Sequence, residues 1–155
     1  MPRKPPDTWR YHARTAARSY PRLKAADAAL HETRITASLD AYRHGSGSPA
    51  RITEAAALRE LPEAQRRQLE AVELALKITD TLPSCQERRK LIRLVYFDRR
   101  FTLDGAAQQI PASAQTAQRW SDDFLLLVWA QLWRNTGAGP RSAQERAGAS
   151  AAVAR

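Results

Sequence analysis

The 155-residue chain is long enough for one domain with a single hydrophobic core, and its 43% apolar content argues against wholesale disorder. Lysine and arginine number 25 against 16 acidic residues, and the formal charge of +9 indicates nucleic acid or another anionic surface as a partner. A single cysteine excludes an internal disulfide framework, and the longest apolar run, residues 124–130, is far too short to span a membrane.

The composition also indicates the fold class. Alanine occurs 29 times, whereas valine and isoleucine together occur only nine times. Sheets are normally built from β-branched residues, while alanine, leucine, arginine, glutamate and glutamine favour helices. We therefore predict an all-α protein. The pattern of residues along the chain divides it further into an N-terminal helical arm and a helical domain with a long C-terminal helix.

A basic N-terminal arm is predicted over residues 9–44, after a disordered lead with three prolines at 1–8. Its arginines recur every four residues, near one face of a helix, at Arg10, Arg14, Arg18 and Arg22. Such a row is most often a solvated face, but it could instead track a DNA backbone. Because proline cannot donate a backbone hydrogen bond, Pro21 is expected to break or kink this helix.

A Gly/Ser linker at residues 45–50 leads into a helical domain predicted over 51–134, and a disordered tail is predicted at 135–155. Caps, prolines and apolar periodicity divide the domain into expected helices at about 53–61, 63–81, 86–98, 102–110 and 113–134. The stripe Leu69, Val72 and Leu76 on the second of these suits simple core packing, with a coiled-coil contact as the alternative.

Residues 102–120 have the layout of a helix-turn-helix. Thr102 can cap a two-turn helix that ends at Ile110, and after a tight turn Ser113 can cap a second helix. The turn position usually held by glycine is Pro111, which cannot adopt positive φ, so this turn must be built differently. Three small residues, Ala106, Ala112 and Ala117, would under-fill the core unless Trp120 or a closer helix approach fills the space.

The second helix of this unit carries the predicted base-reading residues, Gln115, Gln118 and Arg119. They share one exposed arc of the helix, while Ala117 and Trp120 turn inward. Glutamine can bond adenine bidentately, and arginine can bond guanine bidentately in the major groove. The predicted phosphate contacts are Ser113 and Thr116 at the helix start, together with the nearby basic residues Arg88, Arg89, Lys90, Arg93, Arg99 and Arg100.

Large apolar residues occupy more than one face of the last helix, from Trp120 to Trp133. They could form the core of one subunit, or the excess face could bury against a second copy. On the second interpretation, the association residues are Trp129, Leu132 and Trp133. The sequence therefore allows either a monomer or a homo-oligomer.

A family resemblance sharpens these expectations. The segment LIRLVYF at 91–97, followed by Thr102, Ala107, Ile110, Ser113, Thr116 and Arg119, resembles region four of bacterial sigma factors. Over about residues 15–134 the chain resembles phage late-gene transcription regulators of the RinA/ArpU type, through SYPRLK at 19–24, TEAA at 53–56 and the closing helix from Arg119 to Leu132. The resemblance implies a sequence-specific, double-stranded DNA-binding regulator of phage or prophage packaging or structural genes. Its setting would be the bacterial cytoplasm, with RNA polymerase as a further candidate partner.

The sequence offers nothing that suggests an enzyme, a cofactor or a metal. The three histidines lack metal-ligand spacing, Cys85 has no evident partner base, and adjacent Asp122 and Asp123 point to different helix faces. No nucleotide-binding loop is recognisable. The alternative function of a different class is a phage DNA-packaging component such as a small terminase subunit, which would form a ring rather than a monomer or dimer.

Overall fold

The computed structural model describes residues 8–44 and 60–135, and within these ranges it contains helices and no strand, so the all-α prediction is confirmed. The elements in chain order are α1 (Trp9–His44), α2 (Glu63–Asp80), α3 (Cys85–Ile92), a π-helical turn (Arg93–Phe97), α4 (Leu103–Ala107) and α5 (Ala114–Asn135). The predicted linker, residues 53–59 of the helix expected at 53–61 and nearly all of the predicted lead and tail lie outside the described residues, whereas residues 60 and 61 are described and are not helical.

The predicted break at Pro21 was wrong, because α1 continues through this residue from Trp9 to His44. Pro21 lies on the exposed side of the helix, while Tyr20 and Leu23 beside it are buried. Most helical stability in proteins comes from the packing of an apolar face rather than from local propensity. That packing on both sides of Pro21 offsets the one backbone hydrogen bond that proline cannot make.

The main core lies between α1, α2 and α5. The first half of α1 enters it through small side chains, including Ala13, Ala16 and Ala17, which allow close helix approach. The stripe of Leu69, Val72 and Leu76 on α2 is buried in this core rather than left for a coiled-coil partner. From α5 the core receives Phe124, Leu125 and Val128.

A second, smaller core lies between α3, α4 and the first half of α5. We call residues 85–120, which contain these elements, the three-helix unit. The buried members of the smaller core are Leu91, Ala106, Ala107, Ile110 and Ala117. The small side chains of Ala106, Ala112 and Ala117 were expected to under-fill this core. Trp120, which is half-buried, packs against the cluster and takes up that space. One indole therefore fills the space that larger aliphatic residues would otherwise occupy.

The π-helical turn lets one segment serve both cores, a feature that the sequence did not predict. The amide of Asp98 donates to the carbonyl of Arg93 at 2.8 Å, five residues back. Before the turn, Ile92 belongs to the main core and Leu91 to the smaller one, and Val95 within the turn packs against both. The three-helix unit is thereby fixed against α1 and α2.

Candidate nucleic-acid interface

The amino end of α5 is fixed by a side-chain cap, as predicted. Ser113 Oγ accepts a hydrogen bond from the backbone amide of Thr116 at 3.1 Å and lies 2.9 Å from the Thr116 hydroxyl. Ser113 is exposed and Thr116 half-buried, so the first turn of α5 reaches the surface. A capped, exposed helix start sets the direction of the residues that follow and favours a nearby anion.

The turn before α5 holds this helix at a fixed position on α4. Thr102 Oγ1 caps α4 by accepting from the Gly105 amide at 3.3 Å. The amide of Ala112 then donates to the carbonyl of Ile110 at 2.8 Å, which closes a tight turn around Pro111. This turn needs no residue with positive φ, since such values among the described non-glycine residues occur only at Ser84 and Arg99. The expectation of a differently built turn is confirmed.

The structure brings the three predicted base readers together on the surface. Gln115, Gln118 and Arg119 are all exposed, whereas Ala117 is fully buried beneath them. We call these three residues the polar arc of α5. The arc projects from a helix that is anchored at its cap, at Ala117 and through Trp120, so the positions from which the three side chains leave the helix are fixed.

A further residue of this face, Asp122, was not among the predicted site residues. Its Oδ2 accepts from Gln118 Nε2 at 3.3 Å and lies 3.6 Å from Arg10 Nη2. The spacing of four residues between Gln118 and Asp122 is the sequence signal that could have revealed this pair. With one amide hydrogen held by Asp122, Gln118 keeps its carbonyl oxygen and its second amide hydrogen for a ligand.

Arg88, predicted as a phosphate contact, is instead part of the packing between α3 and α5. Its guanidinium lies over the Trp120 ring, 5.2 Å from the centroid, and Nη1 pairs with Asp123 Oδ2 at 3.3 Å. Nε donates to the carbonyl of Pro83 at 3.0 Å, and the side chain is only 14% exposed. These bonds would have to break before Arg88 could bind a phosphate.

Arg89 is also engaged within the protein. Its Nε and Nη2 donate to the two carboxylate oxygens of Asp80, both at 2.6 Å. The hydrogen bonding lowers the pKa of Asp80 and raises that of Arg89. This bidentate pair ties the end of α2 to α3, so a phosphate would have to compete with an existing carboxylate.

The remaining predicted phosphate contacts lie at the surface of the three-helix unit. Arg93 Nε is 3.4 Å from Asp98 Oδ2, although the arginine side chain remains 72% exposed. Lys90, Arg99 and Arg100 are exposed, and none of them forms an ion pair with another described residue. These three cations are therefore the most available of the predicted set.

The contrast between Arg88 and Lys90 gives a first testable prediction. Arg88→Ala should lower the free energy of unfolding by about 1–3 kcal/mol, because it removes a cation–π contact and hydrogen bonds from a partly buried site. Lys90→Ala should leave stability within about 0.5 kcal/mol of the wild-type value. Chemical denaturation of both variants measures the difference. Equal stability of the two would contradict the packing role of Arg88.

The predicted association residues lie near the other end of α5. The Trp129 ring packs against the main core, stacks with His12 at 6.2 Å between centroids, and lies tilted against the Trp133 ring at 5.7 Å. Leu132 is also partly buried against this core, whereas Trp133 is 44% exposed and Leu126, on the same helix, is 43% exposed. Trp129 and Leu132 thus contribute mainly to the core of the fold. The large apolar side chains that α5 exposes at the surface are Trp133 and Leu126.

Comparison with known proteins finds no match to a family model, to a curated protein or to a solved structure. Among the described residues, no cluster of three or more metal-ligating side chains is present. The same part of the chain contains no helix with the length and apolar character needed to cross a bilayer.

Proposed function

We propose that this protein is a sequence-specific, double-stranded DNA-binding transcription regulator of phage or prophage late genes. The observation that carries the DNA-binding assignment is the polar arc of α5, with Gln115, Gln118 and Arg119 exposed on a capped helix. Such a helix suits the major groove, where glutamine distinguishes adenine and arginine distinguishes guanine. On this proposal α4, the turn and α5 act as a helix-turn-helix, with α5 as the recognition helix.

The charge distribution supports the same proposal. The chain carries a formal charge of +9, and the exposed Lys90, Arg99 and Arg100 belong to the same three-helix unit as the polar arc. Base contacts give specificity, whereas cations around them bind phosphates and position the helix. Both kinds of group are therefore available on one compact part of the molecule.

The regulatory role at phage late genes rests on the sequence resemblance to regulators of the RinA/ArpU type. The resemblance to region four of sigma factors, which carries the same kind of DNA-binding unit, makes a promoter the proposed target. It also makes RNA polymerase a proposed partner. On this proposal the protein acts in the cytoplasm of the bacterial host.

Duplex binding and its salt dependence test the proposed function. The affinity should fall steeply with salt, by about 0.9 in the log–log slope for each phosphate contacted. Fluorescence anisotropy with a labelled duplex of about three helical turns, roughly 30 base pairs, measures this slope across a sodium chloride series. Absence of duplex binding at low salt would overturn the proposal.

The exposed apolar residues Leu126 and Trp133 favour a second candidate function, a ring-forming DNA-packaging component such as a small terminase subunit. These two side chains lie seven residues, or about two turns, apart on one face of α5, and exposed large apolar side chains are suited to subunit contacts. Sedimentation at several protein concentrations separates the two functions. A monomer or dimer supports the regulator, whereas a large ring supports the packaging component.

A further inference from the structure

The first half of α1 carries a row of arginines along one side of the helix. Arg10, Arg14 and Arg18 are exposed, while Ala13 and Ala17 between them are buried in the main core. Residues four apart are displaced by about 40° around a helix, so the row stays on one flank of α1. The orientation of this flank is consequently fixed by the core packing of the alanines.

The arginine flank of α1 lies against the side of α5 that carries Gln118. Arg10 Nη2 is 3.6 Å from Asp122 Oδ2, the same oxygen that accepts from Gln118 Nε2 at 3.3 Å. Asp122 therefore bridges the arginine row and the polar arc. Two elements that are about 100 residues apart in sequence meet at one carboxylate.

Arg14 and Arg18 continue the row next to the same region. The hydroxyl of buried Tyr96 lies 2.6 Å from Ser121 Oγ, one residue before Asp122. Burial raises the pKa of Tyr96, the hydrogen bond with Ser121 and the charges of Arg14 and Arg18 lower it, and Asp122 raises it further. Arg14 and Arg18 lie one and two turns of α1 after Arg10, which places them about 6 and 12 Å along the helix axis from the contact between Arg10 and Asp122.

Arg14 and Arg18 differ from Arg10 and Lys24 because no described acidic group pairs with them, a property that they share with Arg22. Arg10 is engaged by Asp122, and Lys24, farther along α1, is engaged by Glu73 at 3.7 Å. An arginine pair without carboxylate partners has all of its donors available to an anion. A row of surface arginines is often only solvated, but here the row lies beside a candidate reading helix.

We propose that Arg14 and Arg18 bind phosphates of the DNA strand that borders the major groove entered by α5. Asp122 links Arg10 with Gln118, while the core packing of Ala13 and Ala17 fixes α1 beside the polar arc. This inference rests on the proposed DNA-binding function. It makes α1 a second element that contacts the DNA backbone. Cations would then flank α5 on the α1 side, in addition to Lys90, Arg99 and Arg100 of the three-helix unit.

The double variant Arg14→Gln/Arg18→Gln tests this inference by salt titration with the labelled random-sequence duplex. Removal of two phosphate contacts should lower the log–log salt slope by about 1.8. The matched control is Arg66→Gln/Arg67→Gln, which removes the same charge from α2, where the two arginines pair with Glu60 and Glu63. Arg66 lies fourteen residues before Asp80, about 21 Å along the helix axis from the point where Asp80 binds Arg89 of the three-helix unit.

The outcomes separate this inference from the function on which it rests. A lower slope in the α1 variant with an unchanged slope in the α2 control supports it, and Arg14→Lys/Arg18→Lys should then keep the wild-type slope because lysine also neutralises phosphate. An unchanged slope in the α1 variant, or equal reductions in both glutamine variants, would overturn the inference while duplex binding stands. If the wild-type protein binds no duplex, the proposed function fails and this inference fails with it.

Discussion

Replacement of Gln115, Gln118 and Arg119 by alanine is expected to abolish preference for an operator while retaining binding to random duplex. Each good bidentate contact with a base contributes about 1–3 kcal/mol of discrimination, so the variant should lose about 3 kcal/mol or more. That loss corresponds to roughly a hundredfold or more in the ratio of operator affinity to random affinity. Alanine favours the helix, so α5 should remain intact.

A competition titration of operator against random duplex measures this ratio once an operator has been isolated with the wild-type protein from random duplexes. Arg134→Ala is the charge-matched control, because Arg134 is an exposed arginine in the last turn of α5, far from its amino end. The control should keep the wild-type ratio. An unchanged ratio in the triple variant would show that the polar arc does not read bases.

The largest expected effect on stability comes from Phe124→Ala. Phe124 is 1% exposed in the main core and its ring lies 5.9 Å from that of Tyr96. Truncation of a buried phenylalanine costs about 3–5 kcal/mol, through lost transfer free energy and the cavity left behind. Because natural domains are stable by only about 5–15 kcal/mol, this variant should lose a large part of its stability and unfold at a much lower urea concentration than the wild-type protein.

Leu126→Ala is the matched control for Phe124→Ala, since Leu126 lies on the same helix but is 43% exposed. Its substitution should change the free energy of unfolding by about 0.5 kcal/mol or less. Urea denaturation measures both variants, with the midpoint and the slope compared for each. Similar losses at the two positions would contradict the burial pattern described for α5.

The start of α5 and the bounds of α2 could be predicted from the sequence, whereas α4 ends at Ala107 and not at the predicted Ile110. The Ser113 cap fixes the start of α5 within one residue, and the predicted Glu63–Thr81 segment matches α2 because Pro62 and Pro83 flank it. The same reasoning failed at Pro21, where a local rule was outweighed by the core packing of the surrounding turns. Caps are local interactions, whereas the response of a helix to an internal proline depends on what it packs against.

The exposure of the polar arc was predictable because buried and exposed residues alternate with the period of a helix. The position of Arg88 was not, because its partners Trp120 and Asp123 lie 32 and 35 residues away on another helix. The bridge from Arg10 through Asp122 to Gln118 was hidden for the same reason. Contacts between distant segments depend on the packing of the helices, and sequence periodicity does not specify it.

On the proposed function, α5 enters the major groove with Arg119 against a guanine. Methylation interference tests this placement, because methylation of guanine N7 blocks the acceptor that arginine uses. On an isolated operator, we expect at least one guanine whose N7 methylation weakens binding of the wild-type protein but does not weaken binding of Arg119→Ala. If no guanine N7 methylation interferes, or if the same guanines interfere equally with both proteins, this placement is contradicted.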